Sequence, residues 1–308
     1  MPKDFLSVLD LSQDDVSRLL DSAAWLKSER AAGRPSASRP LDGLHVALLF
    51  EKPSLRTRTT FEIAVRELGG DVVSLPAEFA EGTRETLPDV ARNLERWVAA
   101  LVIRTFAQAK AATMAAAAPR LHVINALSDE EHPCQALADV LTLRERWGML
   151  AGKRLAYVGD GNNVATSLAQ AALMMGVSVN VASPVGYELP SAVAEQAQRA
   201  ARGGATLASF TDPAEAVADA HAVYTDVWTS MGQERESATR RAAFEGFQVN
   251  TVLMRRAAPG ALFMHCLPAH RGEEVTSDVF DSASSVVFDQ AENRLHTQKA
   301  LLAMLCGD

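Results

Sequence analysis

Short apolar runs and helix-patterned stretches replace one another along almost the whole of this 308-residue chain, and that alternation leaves few folds open. The run Leu44-His45-Val46-Ala47-Leu48-Leu49-Phe50 reads as a buried strand, and further strands are expected near 71–75, 99–103 and 121–125. Helices are expected near 55–68, 86–97 and 107–118. They follow a first helix from about Gln13 to Lys27, with Val16, Leu19, Leu20, Ala23 and Leu26 on one stripe and Ser12 as N-cap. A long helix begins at Pro133, an allowed first helical position, and runs towards Trp147. Beyond Gly148 the pattern restarts, with strands near 154–158, 177–182, 205–209, 222–226, 261–265 and 285–288 and helices at 163–175 and 191–202. A final helix spans Ala291 to Cys306. Strands separated by helices pair in parallel, so the expected fold is α/β, with two doubly wound parallel-sheet domains joined by long helices. The domains are expected at 1–135 with the C-terminal helix 290–308, and at 150–285, with 136–149 as the linking helix.

Composition removes several classes of function. Acidic side chains number 38 against 30 basic ones, for a net charge of −8, and no basic run is present to bind a phosphate backbone. Nucleic acid is therefore not an expected partner, and any anionic ligand must be met by a local cluster of arginines. Cys134, Cys266 and Cys306 are far apart and show no C-x-x-C spacing, so neither a disulfide framework nor a zinc site is expected and a reducing cytoplasm fits best. No apolar signal core opens the chain and no stretch reaches 18 uncharged apolar residues, so no membrane association is expected.

In open α/β sheets, ligands bind beyond the carboxyl ends of the strands, and four such loops carry reactive residues. The first is Glu51-Lys52-Pro53-Ser54-Leu55-Arg56-Thr57-Arg58-Thr59-Thr60. Pro53 ends the strand and Ser54 can cap the following helix; free backbone N–H groups, the positive helix end, hydroxyls and Arg56 together suit a phosphate. A merely well-capped helix would not place two arginines in its first turn, where the dipole disfavours cations. The second loop is Glu131-His132-Pro133-Cys134-Gln135, which taken alone reads as an ordinary helix start. The third is Asp226-Val227-Trp228-Thr229-Ser230-Met231-Gly232, and the fourth His265-Cys266-Leu267-Pro268. Pro268 separates His265 from His270 and spoils a helical zinc pair, so no metal is expected. The turn Gly159-Asp160-Gly161-Asn162-Asn163 lacks the third glycine of a dinucleotide fingerprint.

Taken together, the four loops resemble those of the aspartate/ornithine carbamoyltransferase family across nearly the whole chain. Ser-x-Arg-Thr-Arg and His-Pro-x-Gln are similar to its carbamoyl phosphate signatures, and Asp-x-x-x-Ser-Met-Gly with His-Cys-Leu-Pro to those of its ornithine-specific branch. The resemblance implies carbamoyl transfer from carbamoyl phosphate to the δ-amine of L-ornithine, giving L-citrulline and phosphate in arginine metabolism, with no cofactor. It also implies a homotrimer or an assembly of trimers, with both substrates clamped between the domains. Ser54, Leu55, Arg56, Thr57 and Arg104 then look like phosphate-side ligands. His132, Gln135 and Arg294 resemble the groups holding the carbamoyl end, joined by Cys266 and Leu267. Asn163, Asp226, Ser230 and Met231 resemble the ornithine contacts. The catalytic set implied is Asp226, Cys266, Arg104, His132 and Arg294, with Asp226 and Cys266 brought together from adjacent strand ends. Leu55 stands where the family usually has Thr, and Ala80 where it usually sends a Gln into a neighbouring subunit. A sister enzyme acting on an N-acylated ornithine or another amine, and a catalytically silent relative, are the alternatives.

Overall fold

The computed structural model describes residues 2–34, 38–230, 232 and 234–307. The chain forms two compact units, Met1–Leu141 with Glu292–Asp308, and Thr142–Ala291. In the first, helix α1 (Gln13–Ala31) opens on a reciprocal cap in which Ser12 Oγ accepts from the Asp15 N–H and the Asp15 carboxylate accepts from the Ser12 N–H. The stripe Val16, Leu19, Leu20, Ala23 and Leu26 is buried, as its spacing requires. There follow β1 (His45–Phe50), α2 (Leu55–Glu67), β2 (Asp71–Leu75), α3 (Leu87–Leu94), β3 (Ala100–Arg104), α4 (Gln108–Ala117) and β4 (His122–Leu127). The strands are parallel in the order β2-β1-β3-β4, with Val46 opposite Ala100 and Leu101 opposite Val123. Covered on both faces, β1 and β3 are apolar along nearly their whole length.

Helix α5 (Pro133–Trp147) carries the chain into the second unit. There lie β5 (Arg154–Val158), α6 (Asn163–Met174), β6 (Ser178–Ala182), α7 (Ser191–Ala200), β7 (Leu207–Phe210), α8 (Pro213–Val217), β8 (Ala222–Thr225), α9 (Ser237–Ala243), α10 (Thr251–Met254), β9 (Leu262–His265) and α11 (Ser277–Phe280). Helix α12 (Val287–Cys306) returns the chain to the first unit. The second sheet is parallel, in the order β7-β6-β5-β8-β9. Each sheet therefore reverses its winding once, between β1 and β3 in the first and between β5 and β8 in the second. Ligands bind at such switch points, beyond the strands' carboxyl ends. Among the described residues no helix is long and apolar enough to cross a membrane.

The strand expected at 285–288 does not form. Ser285 makes a single bridge to Phe263, the Val286 N–H donates to Phe263 O, and the Gln290 N–H then donates to Val286 O, so helical bonding has already begun. The β-branched run Val286-Val287 carries strand propensity, but the chain leaves the edge of β9 after one residue and α12 takes over, leaving Phe288 exposed.

Helix α12 also buries a histidine. His296 is 1% exposed, and burial holds it down to about 4 from an ordinary 6.5, with Lys27, Lys299 and Arg30 reinforcing the shift and Glu292 opposing it. Its folded value lies below its unfolded one, so its contribution is complete above pH 6.5 and is lost as pH falls towards 4. Between pH 7 and pH 5 the protein should lose about 2 kcal/mol that a His296→Leu variant does not lose. Unfolding measured at the two pH values checks this; an equal decline in both proteins would remove His296 from the account.

Candidate active site

In the first unit the switch point is built by the N-terminus of α2, the end of β3 and the start of α5. Ser54 caps α2, its Oγ accepting from the Thr57 N–H at 3.2 Å. The helix carries no acid in its first turn and Arg56 is its second residue. Thr57 is fully buried, and Arg294 on α12, itself 3% exposed, donates through Nη2 to Thr57 Oγ1 at 2.5 Å. Leu55 points outward at 78% exposure, so its apolar side chain adds nothing to an anion site and its backbone alone is available there. Arg58 lies over the Phe50 ring, 5.1 Å from its centroid. Arg104, buried, ends β3 opposite Phe50 of β1.

His132 and Gln135 flank Pro133 at the start of α5, and both are buried. Gln135 donates through Nε2 to Asp139 at 2.8 Å, and its buried Oε1 has no hydrogen-bond partner among the described residues. Burial first, and then the positive charges of Arg294, Arg104 and Arg56, hold His132 well below the usual histidine value. The four side chains thus form one electrostatic unit: a neutral imidazole surrounded by three guanidinium groups beside a helix N-terminus. Such an arrangement suits an anion carrying a carbonyl. Cys134, between them, is pushed up to about 12 by burial and donates to Asn125 O, so it is no nucleophile.

In the second unit Thr225 of β8 pairs with His265 of β9, which places the next residue of each strand side by side. Cys266 Sγ donates to Asp226 Oδ1 at 3.0 Å, and Asn162 Nδ2 donates to Asp226 Oδ2 at 2.9 Å. Asp226 and Cys266 are both buried. Leu267 has φ 63° and donates its N–H to His265 Nδ1 at 2.9 Å; His265 Nε2 faces Glu274 Oε1 at 3.1 Å, so both ring nitrogens are engaged. Asn163 is the first residue of α6, and Ser230 is half-buried beyond β8. Met231 lies outside the described residues.

Among the described residues, two groups of side chains bring metal-ligand atoms within 4.8 Å of one another, Asp226 with His265 and Cys266, and His270 with Glu273 and Glu274. In the first, Cys266 already donates to Asp226, and both ring nitrogens of His265 are taken up by the Leu267 N–H and by Glu274.

Sequence reasoning overlooked three contributors. Asn162 touches Asp226 directly, and the preference for Asn immediately before a helix could have marked it. Tyr157 donates to Asn162 Oδ1, and its phenol is driven well above its usual value by burial and then by Asp226, Asp160 and Cys266. Arg240, on the short helix α9, donates to Asp160 at 2.7 Å and to Trp228 O at 3.0 Å, and no local pattern announces it. Burial raises Asp160 above the usual carboxylate value, with Arg240 opposing.

Comparison with known proteins assigns a family to each unit. Residues 3–145 match the carbamoyl-P binding domain of aspartate/ornithine carbamoyltransferases, and residues 151–305 match the Asp/Orn binding domain. A curated ornithine carbamoyltransferase of Acidothermus cellulolyticus is 53% identical over 308 residues, covering 99% of this chain and 97% of its own. The anabolic ornithine carbamoyltransferase of Pyrococcus furiosus is 48% identical over 99% of this chain and 96% of its own. A solved ornithine carbamoyltransferase structure from Pyrococcus furiosus superposes with a TM-score of 0.94 at 48% identity, over 98% of this chain and 96% of that one.

Proposed function

This chain belongs to the aspartate/ornithine carbamoyltransferase family, and from that premise we propose how its residues divide the transfer of a carbamoyl group from carbamoyl phosphate to the δ-amine of L-ornithine. The observation that carries the reading is that two ornithine-type motifs, 40 residues apart in the chain, meet in one hydrogen bond between Cys266 and Asp226. Of the family's two substrate classes, an amino acid with a side-chain amine is the one that a buried carboxylate with a thiol donor fits.

The phosphate of carbamoyl phosphate takes Ser54, Arg56, Thr57, Arg104 and the backbone of Leu55, at the N-terminus of α2. His132, Gln135 and Arg294 take the carbamoyl end, with Cys266 and Leu267 completing it. A neutral His132 is a hydrogen-bond donor without a full charge, suited to the carbonyl oxygen as it becomes an oxyanion. Asn163, Asp226, Ser230 and Met231 take ornithine. An amine of pKa about 10 must lose a proton before it attacks, and Asp226 with Cys266 receives and orients it. The N–C bond forms, the C–O bond to phosphate breaks, the surplus proton on nitrogen leaves with the phosphate, and Arg56 and Arg104 stabilise the charge on that departing group. The acyl phosphate is activated already, so the chemistry draws on no cofactor. We assign the enzyme to the synthesis of citrulline, in line with its likeness to an anabolic relative.

The finer assembly belongs to the same reading: a homotrimer of 33.0-kDa chains, or a set of such trimers. Ala80 is buried within the apolar cluster of β1 and β3 and does not reach outward, whereas Thr83 and Arg84 beyond it are exposed. These two, with the backbone of 76–85, are the groups that close a neighbour's phosphate site.

The test is to size the purified protein and assay each species with carbamoyl phosphate and ornithine, N-acetylornithine, putrescine or aspartate. Citrulline formation should travel with the trimer, and kcat/KM for ornithine should exceed that for every other amine by at least ~10²-fold. Preference for another amine would overturn the substrate, and no product with any amine would make the chain a silent relative.

A further inference from the structure

The resemblance gives Asn163 a ligand role and leaves its neighbour Asn162 without one. From the bonds around it we infer that Asn162 is a positioning residue that fixes the plane of the Asp226 carboxylate for the incoming amine; this rests on the reading that Asp226 receives that amine. Asn162 Oδ1 accepts the N–H groups of Val164 at 2.9 Å and Ala165 at 3.1 Å, and the Tyr157 hydroxyl at 3.3 Å. Backbone amides only donate, so the atom facing them is the oxygen and the NH₂ group faces Asp226. The orientation of the amide is therefore set by α6.

A helix cap alone does not explain this side chain. Ser, Thr and Asp cap as well as Asn, because a cap needs only an acceptor. What Asn adds is the donor, and that donor goes to Asp226 Oδ2 at 2.9 Å. The terminal torsion of an Asp side chain is broad, and one bond to Oδ1 from Cys266 leaves the carboxylate plane able to turn about it. A second donor on Oδ2 fixes the plane. A carboxylate has about four acceptor positions, so one on each oxygen stays directed at substrate. The support is rigid, since every residue of α6 from Val164 to Met174 is buried. Tyr157, whose phenol stays protonated because burial drives it well above its usual value, closes the set as a donor.

Two substitutions separate orientation from capping. Asn162→Ser keeps an acceptor for the helix and cannot reach Asp226; Asn162→Asp keeps the cap and puts a second carboxylate against the first. Asn162→Ser should melt within a few degrees of the parent and Asn162→Asp lower, because its two carboxylates repel, and both should keep the parental KM for carbamoyl phosphate. Both should lose about 10- to 100-fold in kcat/KM for ornithine. Two facing carboxylates share a proton more readily than one, so the Asn162→Asp protein should lose additional activity at the acidic end of its profile and regain it in alkali. The Asn162→Ser profile should stay where the parent's is. Parental kcat/KM and an unmoved profile in Asn162→Asp would overturn the inference. So would a loss that tracks lowered melting temperature in both variants with no change in profile. Asp226→Ala, run alongside, separates the two levels. Its retention of ornithine turnover would overturn the underlying reading, whereas its inactivity with normal Asn162 variants would overturn only the inference.

Discussion

Replacing Arg56 by alanine should lower kcat/KM for carbamoyl phosphate by at least ~10²-fold, or about 2.7 kcal/mol of transition-state stabilisation, with the fold intact. Arg56 is the second residue of α2, at the helix end where the macrodipole is positive, and its charge reaches His132 together with those of Arg294 and Arg104. Without an anion, three guanidinium groups and a helix N-terminus repel one another. Removing Arg56 takes one of these charges away, and the unliganded variant should still fold. What it should lose is stabilisation by inorganic phosphate, because a ligand raises the melting temperature only in proportion to its affinity for the folded state. The combination distinguishes a binding role from a packing role, in which unliganded stability would fall and the phosphate response would remain. Near-parental turnover in a folded Arg56→Ala protein would take the loop out of the site. Arg58, stacked over Phe50, should show the packing pattern instead.

The sequence exposed those parts of the fold whose determinants are local. Strands β1 and β3 are continuous apolar runs because both faces are covered, and α1 announces itself through its stripe and its Ser12 cap. Element ends moved by a few residues, as where α3 stops at Leu94 and not at 97. The run at 285–288 misled because its propensity is that of a strand, while its conformation is set by the helical bonding of α12 that begins at Val286. The site divides in the same way. Asp226 and Cys266 could be joined in advance because each comes directly after an apolar strand, and adjacency of those strands then places them together. Asn162 was hidden by the asparagine next to it, and Arg240 by the absence of any pattern linking α9 to the turn after β5. The neutrality of His132 also has no local signature, since it arises from burial and from arginines on three separate elements.

Replacing Asp226 by asparagine should lower kcat/KM for ornithine by ~10²–10³-fold and leave the KM for carbamoyl phosphate within about twofold of the parent. The two side chains have the same shape, so the change is one of charge. Asparagine can still accept through its single oxygen, but it cannot stabilise an ammonium, take up its proton or accept equally from Cys266 and Asn162 on two oxygens. The pH profile gives the second half of the expectation. In the parent, kcat/KM for ornithine should climb as pH rises from 6 towards 8, because the reactive amine is the minor species there. His132 lies well below that window, Tyr157 well above it, and Cys134 at about 12, so none of these buried groups produces the climb. The slope belongs to the amine, and Asp226→Asn should keep it at a lower level. A parent profile that is flat from pH 6 to 9 would contradict attack by a free amine. Parental kcat/KM in a folded Asp226→Asn protein would remove Asp226 from the ornithine site.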